Sequence, residues 1–382
     1  MQKTTRLAVA LATALAAAAV CAPSAAAATH GGAGHPRGGH HAVFVQTDDP
    51  AGNQVVAYRR AEDGQLTPAG TYDTHGLGGV LDGSVADHLA SQGSLTYDPG
   101  HALLYAVNAG SDTVSVFSVD GDRLALRQVV GSGGRFPVSV AVHDDAVYVL
   151  NALDGGSIQG YTVHDRRLEA RADRNRPLGL DPNATPQFTN TPGQVGFTGE
   201  GSQLVVTTKA NGSSLLVFNL DRSGTPADTP VTTTLPGAVP FAFVPNGGHG
   251  LFLAEAGTNA VATFTVHRDG TATQEAFAPT NQSATCWIVA VRDLLYASNA
   301  GSSTLSGFRT ADHGRRLTAL GNTPTDPGTV DAAVSSNGHF LYVQTGVDGI
   351  LDEFAIGDDG SLTPIGSQVV PRGVGGEGIV AF

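Results

Sequence analysis

Leu104-Tyr105-Ala106-Val107-Asn108-Ala109-Gly110-Ser111-Asp112-Thr113-Val114-Ser115-Val116-Phe117 is the stretch that decides the fold. Apolar and polar residues alternate on either side of a turn rich in Gly, Asn, Ser and Asp, the signature of two strands joined as a hairpin. The same design, an apolar-aromatic run followed 12 to 14 residues later by a second aromatic, occurs seven times. The pairs are Phe44/Tyr58, Tyr105/Phe117, Tyr148/Tyr161, Val205/Phe218 (valine standing for the first aromatic), Phe252/Phe264, Tyr296/Phe308 and Tyr342/Phe354. First anchors recur after 43 residues (Tyr105 to Tyr148), 44 (Phe252 to Tyr296) and 46 (Tyr296 to Tyr342). A self-similar unit of about 40–50 residues made of short strands is a propeller blade. The repeat predicts an all-β, seven-bladed propeller of four-stranded antiparallel blades over residues 42–382.

A single blade cannot bury its own faces, so the ring must close. Full units carry an inner strand ahead of the aromatic one, as in Pro137-Val138-Ser139-Val140-Ala141-Val142 and Trp287-Ile288-Val289-Ala290-Val291. The first unit starts directly on Ala42-Val43-Phe44-Val45, whereas the chain finishes on an unattached run, Gly378-Ile379-Val380-Ala381-Phe382. The C-terminal run is therefore expected to complete blade 1 and remove two sheet edges at once.

Residues 1–28 read as a secretory signal peptide: Lys3 and Arg6 precede an apolar Leu7–Val20 run and the small residues Ala25–Ala28. The run is too short to span a bilayer, and no other stretch comes near ~20 apolar residues. Cys21 is preceded by Val20 where a lipid-anchored protein carries a small residue, so a freely secreted product is expected. Residues 29–41 form a flexible His/Gly segment. His30, His35, His40 and His41 within it are compatible with copper, nickel or zinc chelation, but a spacer lacks the geometry that selects a metal, and none is expected.

The formal charge is −13, and −15 once Lys3 and Arg6 leave with the leader. Such a surface repels nucleic acid and anionic membrane. Cys286 is the one cysteine after residue 28, so no internal disulfide can form.

In a propeller the start of each inner strand and the end of the second strand meet at one mouth of the channel. The starts supply Gln92, Ser94, Ser139, Gln194, Phe241, Cys286, Trp287, Asp331 and Glu377; the ends supply Asn108, Asn151, Lys209, Glu255, Asn299 and Thr345. Two long departures from the repeat, Thr71–Gln92 and Arg174–Gly193, fall in connections opening on that face, where propellers build binding sites. Asp87-His88 is the nearest approach to an acid/base pair.

Lys209, the only lysine after residue 28, is placed either to bind a carboxylate or carbonyl or to balance nearby acids. His88 reads as a general base or as a loop histidine bonded to backbone. Cys286-Trp287 line a pocket or cap the channel. Asn108, Asn151 and Asn299 suit turn bracing. Glu255 holds the equivalent place in blade 5, where bracing explains it poorly. The sequence has no serine-nucleophile motif, phosphate-cradling glycine loop, Cys-x-x-Cys or metal-ligand spacing in the folded part. No cofactor is expected.

The units Leu104–Phe117 and Ala297-Ser298-Asn299-Ala300-Gly301-Ser302 resemble the seven-bladed propeller lactonases, a family that includes 6-phosphogluconolactonases and carboxymuconate-lactonising cyclases. The resemblance covers residues 42–382. Ser91-Gln92-Gly93-Ser94-Leu95, Arg135-Phe136-Pro137-Val138, Thr191-Pro192-Gly193-Gln194, Val239-Pro240-Phe241 and Ala284-Thr285-Cys286-Trp287 are similar to a secreted actinobacterial-type branch of it. It implies a small carboxylated lactone hydrolysed or formed at the mouth, with Lys209 or Arg135 holding the carboxylate, Glu255 or His88 moving a proton and Trp287 against the ring. Where the family carries Pro-His pairs this chain reads Pro137-Val138, Pro192-Gly193 and Pro240-Phe241. That departure keeps open a second expectation, a non-catalytic secreted propeller binding a small ligand, peptide or glycan on the same face. In either case a monomer is expected.

Overall fold

The computed structural model describes residues 41–382; the leader and all but the last residue of the His/Gly segment lie outside the described residues. Seven four-stranded antiparallel sheets follow one another around a ring. Blade 2 shows the common plan, with strands Leu95–Asp98, Leu103–Asn108, Thr113–Asp120 and Arg123–Gly131 running from the channel outward.

Burial falls off along that direction, and the residues follow it. The second strand Leu103–Asn108 is buried at all six positions, so its apolar run needs no polar alternation. The outermost strand of blade 7, Leu362–Val369, is largely exposed and carries Thr, Gly, Ser and Gln. Tyrosines of the second strands tie blades together: the hydroxyls of Tyr148, Tyr296 and Tyr342 donate to the carbonyls of Gly224, Gly360 and Gly64, each in the next blade's outer turn, at 2.5, 3.0 and 2.7 Å. Gly64 sits at φ +91°, and a Cβ there would lie 2.2 Å from the Phe340 ring, which explains glycine at the turn.

Closure follows the expected scheme. Ile379–Ala381 pairs antiparallel with Ala42–Gln46, matching Val45 with Ile379, Phe44 with Val380 and Val43 with Ala381. Ala42 and Phe382 exchange both backbone hydrogen bonds, and the Phe382 ring stacks on Tyr97 of blade 2 at 4.4 Å.

The two long connections differ from their expected extents. The outer strands of blades 1 and 3 run on through Asp73 and Pro177, so the irregular segments begin only at residues 74 and 178. The second contains a four-residue helix, Gln187–Asn190, that no periodicity in the sequence announced.

Candidate functional site

The first connection does more than border the channel mouth. Residues 90–92 cross it and are bonded to four other blades. The Ala90 carbonyl accepts from Lys209 Nζ of blade 4 at 2.8 Å, and the Ser91 carbonyl from Trp287 Nε1 of blade 6 at 2.5 Å. Ser91 Oγ donates to the Val138 carbonyl of blade 3 at 2.7 Å. Gln92 Oε1 accepts from the Ile288 amide of blade 6 at 3.0 Å, and its amide donates to the Gly193 carbonyl at 3.1 Å. Glu377, leading into the closing strand of blade 1, accepts from the Ser91 amide at 3.1 Å, and its Oε1 lies against Ser91 Oγ. Gly375 and Asp87 form a β-bridge beside it.

Under this plug lies a cluster of ionisable groups withdrawn from water: Asp48, Asp87 and Lys209 are each 1% exposed, Asp331 4% and Glu377 0%. Burial penalises the charged form of each. Asp48 and Asp331 are pushed up to about 7, although amide donors on each oppose the shift. Glu377 is raised well above the usual carboxylate range by burial and by the charge of Asp87. Asp87 is raised as well, by burial above all. Glu377 and Asp87 act on each other, the charge of Asp87 adding to the rise that burial gives Glu377. Asp87 Oδ2 accepts from the Ala90 amide at 2.8 Å, whereas Oδ1 has no partner.

Among the described residues, Lys209 is the one lysine or arginine beside these carboxyls. Burial lowers it to about 8 against the pull of Asp87 and Glu377. Its ammonium donates to the carbonyls of Ala90 and Phe188 and to Thr191 Oγ1 at 2.8, 2.7 and 3.2 Å, and lies 5.5 Å from the Phe241 ring centre. Phe241 in turn packs at 4.8 Å on Trp287. The adjoining Cys286 thiol is pushed up by burial and is inert as a thiolate nucleophile.

The structure thus gathers Lys209, Gln92, Phe241, Cys286, Trp287, Asp331 and Glu377 around one end of the channel. Ser94 and Ser139 are there as backbone ties, donating to the Glu377 and Gln92 carbonyls at 3.2 and 2.7 Å. Gln194 braces blade 5 by bonding both backbone groups of Phe243. Three candidates are engaged in other ways. Glu255 is raised by burial and bonds only its own turn, through Thr258 Oγ1 at 2.9 Å. His88 spends Nδ1 on the Asp48 carbonyl at 3.2 Å, with its ring against Gly375. Arg135, 60% exposed, pairs with Asp154 at 3.1 Å. Its side chain reaches out to solvent, so of the two cations expected to hold a carboxylate only Lys209 lies at the cluster.

Asn108, Asn151 and Asn299 do brace turns: Asn299 Nδ2, for instance, reaches Thr304 Oγ1 at 3.1 Å and Ser306 Oγ at 2.9 Å. Asp48 and Asp87 are the acids that sequence reasoning passed over. Asp48 follows the second strand of blade 1, as Lys209 follows that of blade 4, so the rule that found Lys209 contains it. Asp87 was singled out with His88, but the weight fell on the histidine.

The far end of the channel is open. A cleft of about 430 Å³ rises from it between the inner strands of blades 2 to 5, lined by Thr96, Val140, Val142, Phe243 and Pro245, and ends against Gln92 and Gln194.

Residues 80–375 match the sequence profile of the seven-bladed β-propeller lactonases. Among solved structures, a Bacteroides fragilis protein assigned as a 6-phosphogluconolactonase aligns over 91% of this chain and 99% of its own, with TM-score 0.72 and 18% identity. The periplasmic gluconolactonase PpgL of Pseudomonas aeruginosa aligns over 89% and 98%, with TM-score 0.70 and 17% identity. A streptogramin B lyase shares the architecture more loosely, at TM-score 0.55, 14% identity, 78% of this chain and 89% of its own. No curated protein sequence matches the chain. At these identities the structural likeness speaks for the fold, and the profile, covering most of the chain, speaks for the family: this protein belongs to the seven-bladed β-propeller lactonases.

Proposed function

We propose that this protein is an exported lactonase that hydrolyses a small neutral lactone at the plugged end of its channel. One observation carries the reading: two fully buried carboxyls, Asp87 and Glu377, lie together beside the buried ammonium of Lys209. Paired carboxyls whose environments separate their protonation states are suited to acid and base roles in one reaction. Asp87, ionised, takes a proton from water as the oxygen bonds to the lactone carbonyl carbon. Lys209 faces the negative charge that develops on the carbonyl oxygen. The ring C–O bond then breaks and Glu377 gives its proton to the departing oxygen, leaving a hydroxy acid. The proton on Asp87 restores the pair.

One lysine among four carboxyls, several of them held protonated by burial, offers no surplus of positive charge, which favours a lactone without a carboxylate or phosphate of its own. Substrate reaches the pair when residues 90–92 lift from the mouth, freeing Lys209 from the Ala90 carbonyl. Export is supported by the composition of residues 1–28 and by the periplasmic relative from Pseudomonas aeruginosa.

A second reading is favoured by the saturation of Lys209, whose three ammonium hydrogens already have acceptors. In that reading the plug is permanent and the propeller binds a ligand without turning it over. A pH-stat screen of neutral sugar and aliphatic lactones separates the two. Turnover by the wild type that Asp87→Asn, Glu377→Gln and Lys209→Ala each reduce by about 100-fold or more, as expected for general acid–base groups, and that Glu255→Gln leaves intact, supports the enzyme. No turnover of any lactone rejects it.

A further inference from the structure

Blades 3 and 4 part on the face opposite Lys209. The cleft between them measures about 580 Å³ and is lined by His143, Asp144, Thr162, Arg174, Phe197 and Arg222 among others. Its size lies within the range of small-molecule sites.

Arg174 is its buried wall. It comes from the outer strand Arg167–Pro177, is 5% exposed, and lies across Gly160, where a Cβ would meet the Arg174 Cβ at 2.6 Å. Glycine at 160 is what lets the side chain fold into the cleft. Its Nη2 donates to the Ser223 carbonyl, but Nε has no acceptor among the described residues. Thr162 Oγ1, two residues along the strand from Gly160, has no partner either. Neighbouring Arg171 and Arg176 pair with Asp173 and Asp228, whereas Arg174 and Arg222 form no ion pair among the described residues. A buried donor left without a partner is costly and calls for an explanation.

The acids around the cleft do not supply one. Asp221 Oδ1 is engaged by the Ser223 amide, Ser223 Oγ and the Thr225 amide at 2.8, 2.6 and 2.9 Å. Asp145 is held by His101 Nε2 at 3.1 Å. What remains is a donor set on one side, Arg174 Nε, Thr162 Oγ1 and Arg222, and an acceptor on the other, the exposed Asp144 carboxylate, whose Oδ2 has only His143 Nε2 at 3.8 Å beside it. The His143 ring, 5.3 Å from Phe197, forms a flat wall between them.

We propose that this cleft is a binding site for a hydroxy acid of monosaccharide size. The ligand's carboxylate lies against Arg174, Thr162 and Arg222, a hydroxyl donates to Asp144, and a C–H face rests on His143. Guanidinium edges suit carboxylates, and the donors left over here outnumber the acceptors. None of these residues belongs to the Asp87/Glu377/Lys209 cluster, so the site stands whether or not the protein turns over lactones.

Calorimetric titration of the protein lacking residues 1–28 with sodium glucuronate, and separately with glucose, tests this. The expected result is glucuronate binding about tenfold or more tighter than glucose, the worth of one charge-assisted contact. Arg222→Ala, an exposed change, and Arg174→Lys, which keeps charge and stem but loses the Nε edge, are each expected to weaken glucuronate about fivefold or more. Should Arg174→Lys lower the melting temperature, Arg222→Ala alone decides. Glu377→Gln is expected to leave glucuronate affinity unchanged. The proposal is overturned by glucuronate binding no tighter than glucose, by absence of binding, by an Arg222→Ala protein that binds like the wild type, or by loss of glucuronate binding in Glu377→Gln, which would move the ligand into the channel.

Discussion

One end of the central channel holds buried ionisable groups under a chain segment; the other holds a cleft with hardly any charge. At the plugged end Asp48, Asp87, Lys209, Asp331 and Glu377 are sealed beneath residues 90–92. At the open end a cleft of about 430 Å³ is walled mainly by Val140, Val142, Phe243, Pro245 and small polar residues. Residues 90–92 are bonded to both the carboxyls and the lysine. Any reaction at the carboxyl pair must therefore wait for that segment to move. Its ties to blades 1, 3, 4 and 6 resist the motion at about 1 kcal/mol per hydrogen bond, so opening rather than bond breaking is expected to limit turnover.

The contrast is broken most severely from the C-terminus. Deleting Gly378–Phe382 removes the inner strand of blade 1 and turns Glu377 into a chain end, so both the ring and the plug lose a support. A fall of about 10 °C or more in melting temperature, in one cooperative transition, is expected. Calorimetry showing an unchanged melt would mean that the ring closes without this strand.

Next in size is Lys209→Met. The change strands the Ala90 and Phe188 carbonyls and leaves the carboxyls without their cation. Breaking such a buried arrangement costs about 3–5 kcal/mol, read by urea unfolding. A loss below about 1 kcal/mol would show that water already reaches these carbonyls, and the plugged end would have to be redrawn as open.

Blade number, strand order and closure were legible because they rest on repetition. Each aromatic pair, from Phe44/Tyr58 to Tyr342/Phe354, reports the same buried hairpin, and errors in one unit are corrected by the other six. The mouth was legible only where the repeat reaches it. Lys209, Trp287 and Glu377 sit at fixed register positions, and all three are found together. Asp87 and Ser91 belong to a connection with no period, and its path across the channel is set by contacts with residues as distant as Glu377 and Trp287. Arg135 and Glu255 were misplaced for a related reason: a register position fixes a backbone, and a long side chain then chooses between the channel and solvent. Arg135 finds Asp154 outside, and Glu255 finds Thr258 within its own turn.

Acidity offers a subtler probe of the same contrast. Asp48 and Asp331 titrate near 7 when folded against an ordinary 3.8. Between pH about 4 and about 7 the unfolded chain has released these protons and the folded one keeps them, so stability falls as pH rises, by roughly 1.4 kcal/mol per pH unit for each group. Lys209, lowered to about 8 from 10.5, acts in the opposite sense. Above about 8 the folded state has given up a proton that the unfolded state still holds, and stability recovers toward pH 10. Glu377 and Asp87, also raised by burial, add to the fall, so unfolding midpoints are expected to decline from pH 4 and to recover only on the alkaline side, where Lys209 titrates. Asp48→Asn and Asp331→Asn should each flatten the acid limb, and a profile that neither alters would place these carboxyls in contact with solvent.

The smallest effect belongs to Arg135→Ala. The Arg135–Asp154 pair is largely exposed on both sides, and pairs of this kind contribute about 0.5 kcal/mol or less. Stability and lactone turnover are both expected to stay within error of the wild type. A turnover loss of about tenfold would mean that the Arg135 side chain swings inward when residues 90–92 lift. The mouth would then have a second cation in its open state, and the shortage of positive charge that argues for a neutral lactone would be relieved.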